Sequence, residues 1–153
     1  MHLEIIDGDT RLDDIRTLFA EYAASLGIDL GYQNFGDEFA SLPGKYARPS
    51  GRLYLALVDG APAGCVAMRK LDTARAEMKR LYVRAGFRGA KVGLALTERI
   101  IADAREIGYR ALVLDTLSTM HRAQELYRSL GFVEIEPYYD CPAAGTVFFR
   151  LEL

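Results

Sequence analysis

What the 153-residue chain lacks narrows its chemistry first. It has only two cysteines, Cys65 and Cys141, far apart and without a companion histidine cluster. That spacing argues against both a disulfide framework and a zinc site, and suits a reducing cytoplasm. The two histidines, His2 and His121, stand alone and read as surface or capping residues. No apolar run approaches the roughly eighteen residues of a membrane span, so no membrane partner is expected. The opening MHLEIIDGDT does not read as a signal peptide. The net charge is −2, with no basic block or tail, which argues against nucleic acid as a partner. Internal repeats, low-complexity tracts and Pro/Gly-rich linkers are missing too, so a single domain over residues 1–153 is expected.

What is present is an ordinary globular composition, 50% hydrophobic and 26% charged, in a chain long enough for a real core. The pattern reads in order as β-α-α-β-β-β-α-β-α-β-β. A strand at Leu3–Ile6 is followed by Thr10 and Asp13, which resemble a helix capping pair. The stripe Leu12, Ile15, Leu18, Phe19, Tyr22 and Leu26 has helical spacing and stops at Gly27. From Ile28 to Gly51 the pattern is irregular, with aromatics at Tyr32, Phe35, Phe39 and Tyr46 and a short helix around Asn34–Leu42. This stretch is a candidate for part of substrate recognition. Arg52–Val58 and Ala63–Leu71 form strands about an Asp59-Gly60 hairpin turn. After Glu77–Val83 and the central helix come a buried strand at Tyr109–Asp115, a helix around Met120–Leu130, and strands at Val133–Glu136 and Thr146–Leu153.

The stretch EMKRLYVRAGFRGAKVGLAL, Glu77 to Leu96, organises the rest. A strand, Glu77–Val83, runs through an Arg-Gly turn into a helix striped by Val92, Leu96, Ile100, Ala104 and Ile107. Free backbone N–H groups and the positive end of the helix dipole meet at that turn, making an anion site. Arg88 adds a fixed charge, and Gly89 and Gly93 let backbone approach a phosphate closely. A Walker-type phosphate loop is excluded because Lys91 is followed by Val92 and Gly93 rather than by Ser or Thr. A Rossmann site fails on glycine spacing and on the antiparallel strands that precede the helix.

This segment resembles the acyl-CoA binding motif of the GNAT superfamily of N-acetyltransferases, Arg/Gln-x-x-Gly-x-Gly/Ala. HRAQELYRSLGF, His121–Phe132, resembles the family's second motif, an alanine before a tyrosine and then Gly-Phe. Two motifs in order at the right separation make a joint signal that covers roughly residues 52–153. Lys91 stands where the pattern's first glycine is usual, and Met120 where an asparagine is often found. The resemblance implies an α+β fold: a central, mostly antiparallel mixed sheet of six or seven strands, flanking helices and one parallel β-α-β crossover. It also implies acetyl-CoA as acyl donor, an amine as acceptor and no metal.

Residue roles follow from the same resemblance. Backbone of Leu81, Tyr82 and Val83 would hold pantetheine and polarise the thioester carbonyl, and Arg88, Gly89, Ala90, Lys91, Val92 and Gly93 would hold the pyrophosphate. Glu77 would take the amine's proton through water, and Tyr127 would protonate the leaving sulfur. Each of the two has a plainer reading, Glu77 as a strand residue paired with Lys79 or Arg80, and Tyr127 as a core aromatic. The alternative to an enzyme is a catalytically idle acyl-CoA sensor, which would need neither residue. Asp29, Asp37, Glu38 and Asp140, with Tyr138 and Tyr139, either favour a cationic amine or are ordinary surface groups. The C-terminal strands offer a surface on which two copies could pair.

Overall fold

Alternation of apolar residues along the strands, met by apolar stripes on the helices, produces a sheet covered on both faces. The computed structural model describes residues 1–27, 30–31 and 34–153. Its elements are β1 (Leu3–Asp7), α1 (Leu12–Leu26), α2 (Phe35–Ser41), β2 (Arg52–Val58), β3 (Ala61–Lys70), β4 (Arg75–Val83), α3 (Val92–Ile107), β5 (Ala111–Leu117), α4 (His121–Ser129), β6 (Val133–Ile135) and β7 (Thr146–Glu152). The seven strands form one sheet in the order β1-β2-β3-β4-β5-β7-β6. The pairing of β4 with β5 is parallel and the others are antiparallel. The expected fold class and order of elements are therefore the observed ones.

Two apolar layers hold this arrangement. Leu53, Leu55 and Leu57 of β2 face Ile15, Leu18 and Phe19 of α1. Tyr54, Ala56 and Val58 point the other way, toward Val92, Leu96, Ile100 and Ala104 of α3. Each large side chain taken out of water there contributes about 1.5–3 kcal/mol. The hairpin turn has positive φ at both Asp59 and Gly60, the geometry that matches strand twist. α1 ends where Gly27 adopts the left-handed conformation, φ 68°.

One local expectation is corrected. Thr10 does not cap α1: its hydroxyl donates to the Asp7 carbonyl at 2.9 Å inside a 3-10 turn. Arg11 precedes the helix instead, and its Nε reaches the Asp14 carboxylate at 2.7 Å. The short turn Gly8–Thr10 takes the hydroxyl before the helix can.

Two irregularities in β4 position the functional region. Its ladder with β5 covers only Arg75–Glu77 against Ala111–Val113, after which the strands part. Opposite Val66 of β3, β4 carries the extra residue of a bulge, between the pairs Cys65↔Tyr82 and Ala67↔Lys79. Arg80 stands in that bulge with φ 61°.

Candidate acyl-donor cleft and acceptor face

Where β4 and β5 part, a cleft of about 590 Å³ opens. Leu81, Tyr82 and Val83 of β4 form one wall, and Thr119 to Ala123 with Leu126 form the other. The turn from Phe87 to Gly93 closes its end, and Tyr22 of α1 reaches its inner rim. At that turn Gly89 has φ 91° and Lys91 has φ 60°. A left-handed residue is needed at position 91 to start α3, which is the physical reason a glycine suits that place in the motif; here a lysine takes the strain. Among the described residues, the N–H groups of Gly89, Lys91, Val92 and Gly93 have no backbone acceptor. They lie at the positive end of a 16-residue helix, with the exposed Arg88 beside them. Arg88 Nε donates to the Val83 carbonyl at 3.1 Å, which ties the turn to the end of β4.

Eight of the nine residues expected at the acyl donor line this cleft: Leu81, Tyr82, Val83, Arg88, Gly89, Lys91, Val92 and Gly93. Ala90 does not. It packs against the core, and its N–H is taken by the Phe87 carbonyl at 3.3 Å. Sequence reasoning missed Tyr22, Phe87 and the start of α4, including His121 and Arg122. The start of α4 carried a usable signal, since a helix entering directly after the partner strand brings a second positive helix end to the same gap. Tyr22 carried none, being one aromatic in the apolar stripe of α1.

The deep end of the cleft leads into a cavity of about 20 Å³ that shares Tyr22, Leu81 and Met120 with it. Lys79, Asp115, Thr116 and Tyr127 also line this cavity. The Tyr127 ring packs against Phe132 and Phe149, with centroids 5.6 and 5.9 Å away. Its hydroxyl makes no hydrogen bond with the described residues. Burial pushes the phenol's pKa well up, so at neutral pH it holds its proton.

Glu77 lines neither space. It is 2% exposed, and its two oxygens are engaged, one by Arg69 Nε at 2.7 Å and the other by the Tyr138 hydroxyl. Burial alone would raise its pKa, but Lys79, Tyr138 and Arg69 outweigh that and hold it below the usual range. Asp115 is partly exposed and accepts from the Tyr139 hydroxyl. Burial raises its pKa, against the opposing pull of Tyr139, Lys79 and Arg80. Burial also lowers Lys79, to about 8, although Glu77 resists.

The acidic residues expected near an acceptor divide. Asp37 and Asp140 are exposed, and Asp29, with the aromatic Tyr32, lies outside the described residues. Glu38 is a buried ion-pair partner rather than a free acid. It accepts from Arg80 at 2.8 and 3.1 Å and from the Tyr46 hydroxyl at 2.7 Å, with Lys45 at 3.4 Å.

A splayed parallel pair with a helix N-terminus at its mouth defines a class of acyl-CoA-binding transferase folds. Residues 12–132 match the family described as Acetyltransferase (GNAT) family. The chain belongs to that family, and it is an N-acetyltransferase. It is 43% identical to an N-acetyltransferase of Schizosaccharomyces pombe over 93% of this chain and 88% of that one. In fold it is similar to an acetyltransferase of GNAT family from Staphylococcus aureus, with TM-score 0.82, 20% identity and 99% of each chain covered. It is likewise similar to the PaiA N-acetyltransferase of Thermoplasma acidophilum, whose structure is a complex with coenzyme A, with TM-score 0.73, 15% identity and 100% of each chain covered.

Proposed function

We propose that acetyl-CoA lies along the cleft with its pyrophosphate at Arg88–Gly93, and that its acetyl group passes directly to a primary amine of a small molecule or peptide. The observation that carries this reading is the row of N–H groups at the start of α3, without a backbone acceptor among the described residues, beside Arg88 and facing a cleft between two parted strands. Pantetheine runs along the backbone of Leu81 to Val83, which has no strand partner on the β5 side. Its N–H groups act as donors to the thioester carbonyl. The thioester reaches the small inner cavity, and the amine enters from the face that carries α1 and α2. Tyr127, protonated and without another partner there, gives its proton to the departing thiolate. The amine's proton goes to one of the two carboxylates at the parting of the strands, Glu77 or Asp115. Neither Cys65, buried within β3, nor Cys141 is in a disulfide among the described residues, in keeping with a reducing cytoplasm as its place of work.

A panel of amines, amino acids and peptides, read by release of free CoA, tests the reaction. Transfer to at least one acceptor is expected; binding of acetyl-CoA without release across the panel would instead make the protein a sensor. Gly89→Glu tests the anion site. A Cβ at Gly89 meets open space, but φ 91° strains any side chain, so Gly89→Ala serves as the strain control. Calorimetry should show acetyl-CoA affinity falling severely in the Glu variant and much less in the Ala variant. Equal affinities in the two would remove the pyrophosphate from this turn.

A further inference from the structure

Resting on that reading of the cleft, we infer that Asp115, on β5, is the group that accepts the amine's proton, and that Glu77 is a structural ion-pair partner. Three observations carry the inference. First, the two carboxylates differ in access. Asp115 lines the inner cavity together with Leu81 and Tyr127, whereas Glu77 lines neither that cavity nor the cleft. Second, they differ in commitment. Both Glu77 oxygens are held, by Arg69 and by Tyr138, while one oxygen of Asp115 is held, by Tyr139. Third, the register matters. Glu77 pairs with Val113, inside the last rungs of the parallel ladder. Asp115 lies two residues further along β5, on the same face as Val113, where β4 has already turned away. A nucleophile entering the gap from that face meets Asp115 before it meets Glu77.

The surroundings of Asp115 suit the task. From β4 it faces Lys79, Glu77 and Arg80; from the C-terminal loop, the Tyr139 hydroxyl, itself near Cys141; from α4 and α1, the hydroxyls of Tyr127 and Tyr22. Its carboxyl is raised from the ordinary aspartate range, which brings a base closer to working pH than Glu77, which is lowered. The step balances without a further reactant. Asp115 carboxylate takes a proton from the ammonium, and the neutral nitrogen attacks the thioester carbon. A C–N bond forms as the C–S bond breaks, the thiolate takes a proton from Tyr127, and the second proton lost by the acylated nitrogen returns Tyr127 to its neutral form. Asp115 then returns its proton to water, to which its partly exposed side chain has access.

Adjacent tyrosines provide the test, because Tyr138 donates to Glu77 and Tyr139 donates to Asp115. Removing a donor raises the pKa of the carboxylate it served. With an acceptor that wild type turns over, Tyr139→Phe should move the acid limb of the kcat–pH profile up by roughly one pH unit, and Tyr138→Phe should move it much less. Asp115→Asn keeps an acceptor for Tyr139 and should lower turnover by roughly 10²–10⁴-fold, with melting temperature and acetyl-CoA affinity near wild type. Glu77→Gln should lose less turnover and more stability. The inference is overturned if Tyr138→Phe moves the limb instead, if neither does, or if Glu77→Gln loses more turnover than Asp115→Asn. Should Asp115→Asn not fold, the two tyrosine variants decide alone. A wild-type protein that releases no CoA with any amine overturns the underlying reading as well; normal wild-type turnover with an unmoved limb overturns only the assignment of Asp115.

Discussion

At the scale of single residues, Tyr127 shows how one side chain serves packing and chemistry through different atoms. Its ring is fixed between Phe132 and Phe149, and its hydroxyl opens onto the inner cavity with no hydrogen-bond partner among the described residues. That oxygen is open to the cavity and not sealed in the core, so a ligand atom can take its hydrogen bond there. Tyr127→Phe removes only this oxygen, so the melting temperature should hold or rise slightly. If the hydroxyl protonates the thiolate, kcat should fall tenfold or more while acetyl-CoA affinity changes little. Steady-state kinetics beside a thermal melt distinguish the cases: full activity in a normally stable Phe variant takes Tyr127 out of the reaction. Lys91 makes a complementary point. Sequence alone marks it as a departure from the motif, whereas φ 60° shows that the position requires a left-handed backbone rather than a particular side chain. The motif's glycine and this lysine meet the same requirement at different strain.

At the scale of elements, the bulge in β4 is where α2 and the cleft are joined. Arg80 at the bulge turns its guanidinium toward α2, between the Glu38 carboxylate and the rings of Tyr22 and Phe35, 5.9 and 5.3 Å from their centroids. α2 is thereby fixed to the strand whose next residues, Leu81 to Val83, line the cleft. Glu38→Gln removes a counter-charge from a buried cation, and losing one partner of such a pair costs about 3–5 kcal/mol. Urea unfolding should show a loss of that order. The double variant Glu38→Leu/Arg80→Met, which replaces both charges with apolar volume, should recover much of it. A double variant as unstable as the single one would mean the pair is not what holds α2. Elements of this kind were legible as elements, because the strand period of two and the helical period near 3.6 are local properties of sequence. Their joints were not. Glu38 looked like a surface acid and Asp115 like the end of an apolar run, since their partners lie 42 and 24 residues away and are brought near only by the sheet. That eight of the nine residues share one cleft was legible for the opposite reason, the turn and helix start being contiguous in the chain.

At the scale of the whole molecule, buried charge makes stability depend on pH in a direction that can be worked out. Glu38 and Glu77 are both buried, and although burial raises each pKa, their cationic and hydroxyl partners outweigh it and hold both below the usual glutamate value. A depressed carboxyl contributes stability that is fully present above its unfolded pKa, about 4.3, and lost as pH falls through its folded value. Asp115 acts in the opposite sense. Its folded pKa is raised, so its protonation favours the native state as pH falls, which partly offsets the two glutamates. Lys79, lowered to about 8, adds stability as pH rises from there toward its unfolded value near 10.4. The expected profile therefore falls steeply below about pH 4.5, where the unfolded chain binds the protons the native glutamates refuse, and climbs gently on the alkaline side. Urea unfolding from pH 3 to 10 measures it. Glu38→Gln should lie below wild type at neutral pH and approach it in acid, because the variant has already lost what wild type loses on acidification. Two curves running parallel down to pH 3 would show that Glu38 binds the same protons in the folded and unfolded chain, and that the Arg80 pair does not link folding to pH.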